Sequence, residues 1–297
     1  MELMTKLIRM NLSVINKLAD ICSVERSRSV QDKIGSFMAH EYQSDLEYHT
    51  VELQGFQAEY IIPKETEHDG IILYLHGGGY VSGNIEYARG FGSLLSVNNH
   101  IKVLSVAYRL APENIFPAAL DDALIAYRYL IENGYSPDRI VLCGESAGGG
   151  LVFSLALKLK EENLPLPCGI IAVSPWSDLS MSGDSYEENR EKDPSMTKKR
   201  LQFYAKCYTE QVKLPLVSPL FADLTGLPPS LIFVGGDEIM LSDSVDLHKK
   251  ICEYGCKSSL NVAPDMWHIY LLYGIKQAKN DLKKIPEFLR EVFHEGA

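Results

Sequence analysis

No stretch of the 297 residues is apolar for long enough to cross a bilayer, which takes about 20 consecutive apolar residues. The opening segment Met1–Met10 is interrupted by Glu2, Lys6 and Arg9. It lacks the unbroken apolar stretch of a secretory signal, so a cytoplasmic location is expected. Basic charge is also scarce: 29 Lys and Arg stand against 39 Asp and Glu, for a net charge of −10. That balance disfavours nucleic acid and anionic membranes as partners. The six cysteines (Cys22, Cys143, Cys168, Cys207, Cys252 and Cys256) are scattered. Only Cys252 and Cys256 lie close together, and two further ligands at matching spacing are missing, so no metal site is expected. Cys143 and Cys168 fall in apolar runs and read as core thiols. There is no internal repeat and no low-complexity tract. A hydrophobic content of 46% with 23% charged residues argues against long disorder.

What is present is an alternation. Short runs rich in Ile, Val and Leu, at about 49–53, 58–62, 71–76, 102–108, 139–143, 169–174, 230–235 and 259–263, read as eight strands. Segments with helical periodicity, at 86–98, 118–133, 147–162, 242–254 and 276–293, separate the later ones. The pattern predicts an α/β fold: a mostly parallel eight-stranded sheet with helices on both faces and a hairpin of the first two strands at one edge. Two stretches break the alternation. Residues 1–45 read as two helices, and 177–217 form a long insertion carrying Tyr186, Phe203, Tyr204 and Tyr208. An insertion of that length with aromatic content reads as a lid.

The chemistry is concentrated at Gly144-Glu145-Ser146-Ala147-Gly148, set between a strand and a helix. In that context a tight turn pushes a serine hydroxyl out as a nucleophile, and the flanking positions have no room for a Cβ. Such a serine needs oxyanion donors, a base and a group that orients the base. The strand ending at Leu75 runs into His76-Gly77-Gly78-Gly79-Tyr80. Three glycines let main-chain N–H groups approach a substrate, and no Lys-Ser or Lys-Thr follows to make a phosphate cradle. The N–H of Ala147 is a further donor, and His76 reads as a brace for the loop. For the orienting acid, Asp237 stands just past the strand 230–235, with Glu238 beside it as the weaker candidate; Asp243 and Asp246 read as surface positions. Of eight histidines, His248 lies on a helix beside Lys249 and Lys250, and His268 follows the last strand-like run and precedes the final helix, which makes it the candidate base. His40, His49, His68, His100 and His294 read as solvated. The order Ser146, Asp237, His268 is the one expected of a nucleophile elbow of this kind.

Taken together, these segments resemble the hormone-sensitive-lipase family of α/β-hydrolases, in its bacterial branch. The resemblance is carried by His76-Gly77-Gly78-Gly79, Tyr108-Arg109-Leu110-Ala111-Pro112-Glu113, Phe116-Pro117-Ala118-Ala119, the serine elbow, Ser174-Pro175-Trp176-Ser177-Asp178-Leu179, and the acid and histidine segments. It implies one α/β-hydrolase domain over 1–297, with a helical cap built from 1–45 and 177–217. It also implies an oxyanion hole of Gly78, Gly79 and Ala147, supported by His76 and Gly77. The implied activity is that of a carboxylesterase on short-chain acyl esters, needing neither metal nor organic cofactor, with a small-molecule ester as partner and a homodimer as a known assembly of such proteins. Two departures stand out: Glu145 occupies a position usually held by aspartate, and Asp237-Glu238-Ile239 replaces Asp-Pro-Leu. Segments around Asp237 and His268 resemble lactone hydrolases, which makes lactone hydrolysis the alternative. A non-catalytic binding protein on this fold is disfavoured because His268 is retained. Arg109 with Glu113, and Asp121 with Asp122, read as loop braces.

Overall fold

A computed structural model describes residues 2–19 and 24–294; Cys22 lies outside them. Eight strands, β1 (Leu46–Glu52), β2 (Gln57–Pro63), β3 (Ile71–Leu75), β4 (Lys102–Ala107), β5 (Ile140–Glu145), β6 (Gly169–Val173), β7 (Ser230–Gly235) and β8 (Ser258–Ala263), form one sheet in the order β1-β2-β4-β3-β5-β6-β7-β8. The β1–β2 hairpin forms one edge, β2 runs antiparallel to β4, and all later pairings are parallel. Ten helices are found among the described residues: α1 (Leu3–Ala19), α2 (Val24–Tyr42), α3 (Ile85–Asn99), α4 (Ala118–Glu132), α5 (Ala147–Glu161), α6 (Ser185–Glu188), α7 (Lys198–Tyr208), α8 (Leu241–Glu253), α9 (Lys276–Leu282) and α10 (Lys284–Val292).

The central strands are apolar throughout because both faces of the sheet are covered. Along β3, Ile71, Leu73 and Leu75 enter a core shared with Leu120 of α4, Leu155 of α5 and Leu247 of α8. The alternate residues Ile72 and Tyr74 enter a second core with Leu95 of α3, Ala278 of α9 and Leu289 of α10. The helix expected over 276–293 is divided in two at Lys283. Pro286, in the first turn of α10, cannot donate to the carbonyl of Leu282, and its ring crowds that carbonyl.

Strand order sets the position of the site. β3 lies between β4 and β5, so successive crossovers leave it on opposite sides. A crevice opens at the C-terminal ends of strands where the order reverses in this way. The loops that follow β3, β5, β7 and β8 all emerge at that end. The helices outside the alternation are fastened close by. Arg28 of α2 donates to the Val81 carbonyl (2.7 Å), the Ala111 carbonyl (3.0 Å) and the Glu113 carboxylate (2.7 and 2.9 Å). Arg200 of α7 donates to the Asn16 carbonyl of α1 at 2.8 Å.

Candidate active site

The turn between β5 and α5 is as tight as the glycine spacing requires. A Cβ on Gly144 would lie 2.3 Å from the Gly148 carbonyl oxygen, and one on Gly148 would lie 2.0 Å from that of Leu75. The turn forces Ser146 to φ 55°, ψ −121°, a left-handed φ that non-glycine residues seldom adopt. The strained residue is pinned on both sides: its N–H donates to Val173 O (2.9 Å), and its carbonyl accepts from Trp176 N–H (2.9 Å) and Gly150 N–H (3.1 Å).

Ser146 Oγ lies 2.9 Å from His268 Nε2, and His268 Nδ1 lies 2.7 Å from Glu238 Oε2. An ionised carboxylate only accepts, so Nδ1 carries the hydrogen, and in the neutral ring Nε2 is left to accept from the serine hydroxyl. All three residues are buried, Glu238 completely and Ser146 with 6% of its surface exposed. The second oxygen of Glu238 accepts from Ser174 Oγ (2.8 Å) and Gly235 N–H (2.6 Å). Ser174 Oγ in turn accepts from Ile269 N–H at 3.0 Å, so one hydroxyl holds both the carboxylate and the residue after the histidine.

The glycine loop after β3 lies across the elbow. Gly78 and Gly79 take φ of 103° and 65°. The Gly78 carbonyl is turned away and accepts from Val81 and Ser82 N–H, both at 3.1 Å. His76 donates from Nδ1 to Gly77 O (2.7 Å) and stacks on the Tyr108 ring at 4.2 Å, while the Tyr108 hydroxyl donates to His76 O (2.6 Å). Tyr204 of α7 covers Gly79 so closely that a Cβ there would fall 2.2 Å from its ring. Ala147 begins α5, where backbone N–H groups lack partners within the helix.

With this geometry in view, comparisons with known proteins are specific. Residues 72–272 match the family described as alpha/beta hydrolase fold. An acetyl-hydrolase of Streptomyces hygroscopicus is 35% identical over 244 residues, covering 80% of this chain and 81% of its own. An esterase of Acinetobacter venetianus is 34% identical, covering 73% and 74%. The crystal structure of an esterase from the bacterial hormone-sensitive lipase family superposes with a TM-score of 0.92 at 33% identity, covering 99% of each chain. That of EstE5 soaked with p-nitrophenyl butyrate gives 0.90 at 32% identity, covering 99% of this chain and all of its own. This chain belongs to the hormone-sensitive-lipase family of α/β-hydrolases. It is a carboxylesterase.

The esterase corrects one sequence expectation at the site. Asp237 does not approach His268. Its carboxylate pairs with Arg9 of α1 at 2.8 Å, half-buried at the surface, and Arg9 also donates to the carbonyls of Asp265 and Lys192. After Gly236 the chain turns so that residue 237 faces outward to α1 and residue 238 inward to the histidine. Asp237 lies in the turn that follows β7 and Glu238 at the bend after it, and the longer Glu238 is the one on the inner side. Other expectations change as well. Asp243 is buried, accepting from the N–H groups of Ser177 (2.9 Å) and Asp178 (2.8 Å) and the Tyr186 hydroxyl (2.8 Å). His68 is buried against Phe293, with ring centroids 5.7 Å apart. Arg109 pairs with Asp122 at 2.6 Å, leaving Glu113 to Arg28.

Two contributors were missed. Ser174 falls in a quoted motif, but nothing in its surroundings marks it as the link between acid and base. Asp193, also buried, accepts from Ile239 N–H (2.9 Å) through one oxygen and from Ser195 N–H (2.8 Å) through the other, fastening the insertion to the acid loop. The electrostatics raise the proton affinity of the buried His268 imidazole. Burial disfavours the charge on His268, but the hydrogen bond and charge of Glu238, helped by Asp193 and Glu145, outweigh it and hold the imidazole above its ordinary value of 6.5. His76, buried without a carboxylate partner, is pushed down to about 4 and stays neutral as a loop brace.

Proposed function

We propose that this carboxylesterase hydrolyses short-chain acyl esters through an acyl-enzyme, with Ser146 as nucleophile, His268 as base and Glu238 as the orienting acid. The observation that carries the reading is the continuous hydrogen-bonded line from Glu238 through His268 to Ser146. In the first half-reaction Ser146 Oγ attacks the ester carbonyl while its proton passes to Nε2. Glu238 keeps the ring in the tautomer that accepts this proton and stabilises the imidazolium. The N–H groups of Gly78, Gly79 and Ala147 receive the negative oxygen. As the tetrahedral species collapses, the proton moves from Nε2 to the leaving alkoxide, and the alcohol departs. In the second half-reaction a water gives its proton to Nε2 and attacks the acyl carbon. The proton then returns to Ser146, and the carboxylic acid is released.

Residues 1–45 and 177–217 form a cap on this reading, with Tyr204 as a ceiling over the oxyanion glycines. A low ceiling favours small acyl groups. The acetyl-hydrolase relative and the p-nitrophenyl butyrate used with EstE5 point the same way. The test is hydrolysis of p-nitrophenyl esters of increasing chain length by the wild type and Ser146→Ala. The expected result is a maximum at acetate or butyrate and a loss of about 10⁶ in turnover in the variant. Persistent activity in the variant removes the nucleophile, and a maximum at long chains removes the substrate class.

A further inference from the structure

Glu145 immediately precedes the nucleophile, is completely buried, and takes no part in the proton transfers above. Its side chain turns away from Ser146 and passes beneath the glycine loop. Oε1 accepts from Gly77 N–H at 2.6 Å, Oε2 accepts from the Tyr74 hydroxyl at 2.7 Å, and Tyr87 supplies a further hydrogen bond. The loop is seated directly on this residue: a Cβ on Gly77 would lie 3.0 Å from both the Glu145 carbonyl oxygen and Oε1, and 3.1 Å from Ser146 Cβ. The Gly77 N–H sits one residue before the oxyanion donors. Its acceptor therefore fixes the height and tilt of the peptide that leads into them. A charge-assisted bond of this length is stiffer than one between neutral groups.

We propose that Glu145 is a positioning residue for ester hydrolysis: by holding the Gly77 N–H it sets the Gly78 and Gly79 donors at the distance where they meet the oxyanion of the substrate bound to Ser146. The inference rests on the reading above, since it needs those donors and that nucleophile. Burial raises the Glu145 carboxyl to about 7 against the opposing effect of its hydrogen-bond donors, so the anchor carries a cost of desolvation that packing alone does not demand. Tyr74, Tyr87, Tyr108 and Cys143 face this carboxylate and are held neutral, their own values raised by burial and by Glu145 itself. His76, against Tyr87 and Tyr108 in the same loop, is held neutral by burial, and the charged form of His268 is favoured by Glu238, then Asp193, then Glu145.

The test compares Glu145→Met, which keeps length but loses the acceptor, with Glu145→Gln, which keeps an acceptor but loses the charge. Both are measured for kcat and KM on p-nitrophenyl butyrate, for affinity toward a boronic acid analogue of the tetrahedral intermediate, and for melting temperature. The expected result for Glu145→Met is a loss of kcat of about 10- to 100-fold with KM little changed, and a parallel loss of boronate affinity, because a displaced donor weakens only the transition state. Glu145→Gln restores most of kcat, and its acid limb of kcat/KM moves to lower pH because one anion that favours protonated His268 is gone. If Glu145→Met does not fold, Glu145→Ala, which leaves space for water, takes its place. A folded variant without an acceptor that keeps wild-type kcat overturns the proposal. So does a glutamine variant as impaired as the methionine one. Ser146→Ala separates the two readings: activity there removes the nucleophile, whereas an inert Ser146→Ala beside a fully active Glu145→Met removes only the anchor.

Discussion

The turn after β5 and the turn after β7 each place an acidic residue next to another residue with a function, yet they were unequally readable. At Gly144–Gly148 the glycines leave one solution: a Cβ at either end would collide with backbone carbonyls at 2.0–2.3 Å. Only one serine occupies the apex. At Gly235–Glu238 two acids of the same charge stand side by side, and composition does not say which way each one faces. The structure divides them, sending Asp237 to Arg9 and Glu238 to His268. Steric constraint is local and is written in residue types. The direction of a side chain after a strand end depends on what packs there, here α1 on one side and the β6–β8 loops on the other.

The comparison can be pressed experimentally, beginning where the effect is greatest. Gly148→Ala puts a methyl group into the Leu75 carbonyl. It should cost more than about 4 kcal/mol, seen as loss of a cooperative melting transition. A folded, active alanine variant would show that the elbow can relax and that its legibility was fortuitous. Just past the end of β6, Ser174→Ala removes the hydroxyl that joins Glu238 of the β7 turn to Ile269 N–H. It should lower kcat by about 10-fold and destabilise the protein by about 1–3 kcal/mol, since buried groups are left unpaired; steady-state kinetics and a denaturant titration measure both. The pH profile tests the same pair of turns together. His268 must be neutral to act as base, and its pKa lies above 6.5, so kcat/KM should rise with pH through a midpoint above that value. A midpoint well below it would mean that Glu238 does not face the imidazole in solution. The smallest effect belongs to Arg9→Ala, which frees Asp237 and loosens α1. A partly exposed pair of this kind is worth about 0.2–1 kcal/mol, so the melting temperature should fall by only a few degrees with kcat almost unchanged.

The layers of the fold were legible because their cause is periodic. Eight apolar runs marked eight strands within a few residues, and helices between them required parallel crossovers. Even the odd stretches announced themselves, and the amphipathic segment from Lys198 to Tyr208 is α7. What failed was long-range partnership. Asp243 looked exposed because it lies on a helix with Asp246 and lysines nearby, yet Ser177, Asp178 and Tyr186 come from the insertion to bury it. Arg109 was matched to Glu113 four residues on, but the tertiary structure gives it Asp122. At the site, the strained turn at Ser146 was readable from its glycines, and the structure brings His268 Nε2 to 2.9 Å from its hydroxyl. Ser174 and Asp193 were not readable, because their role exists only once β6, β7 and the insertion have come together.

The central claim is that the inward-facing acid of the β7 turn serves His268, and parallel kinetics of Glu238→Gln and Asp237→Asn on p-nitrophenyl butyrate test it most directly. The account predicts that Glu238→Gln loses about 10⁴ in kcat while remaining folded, and that Asp237→Asn stays within a few-fold of wild type. Loss of activity in Asp237→Asn with Glu238→Gln fully active would contradict it.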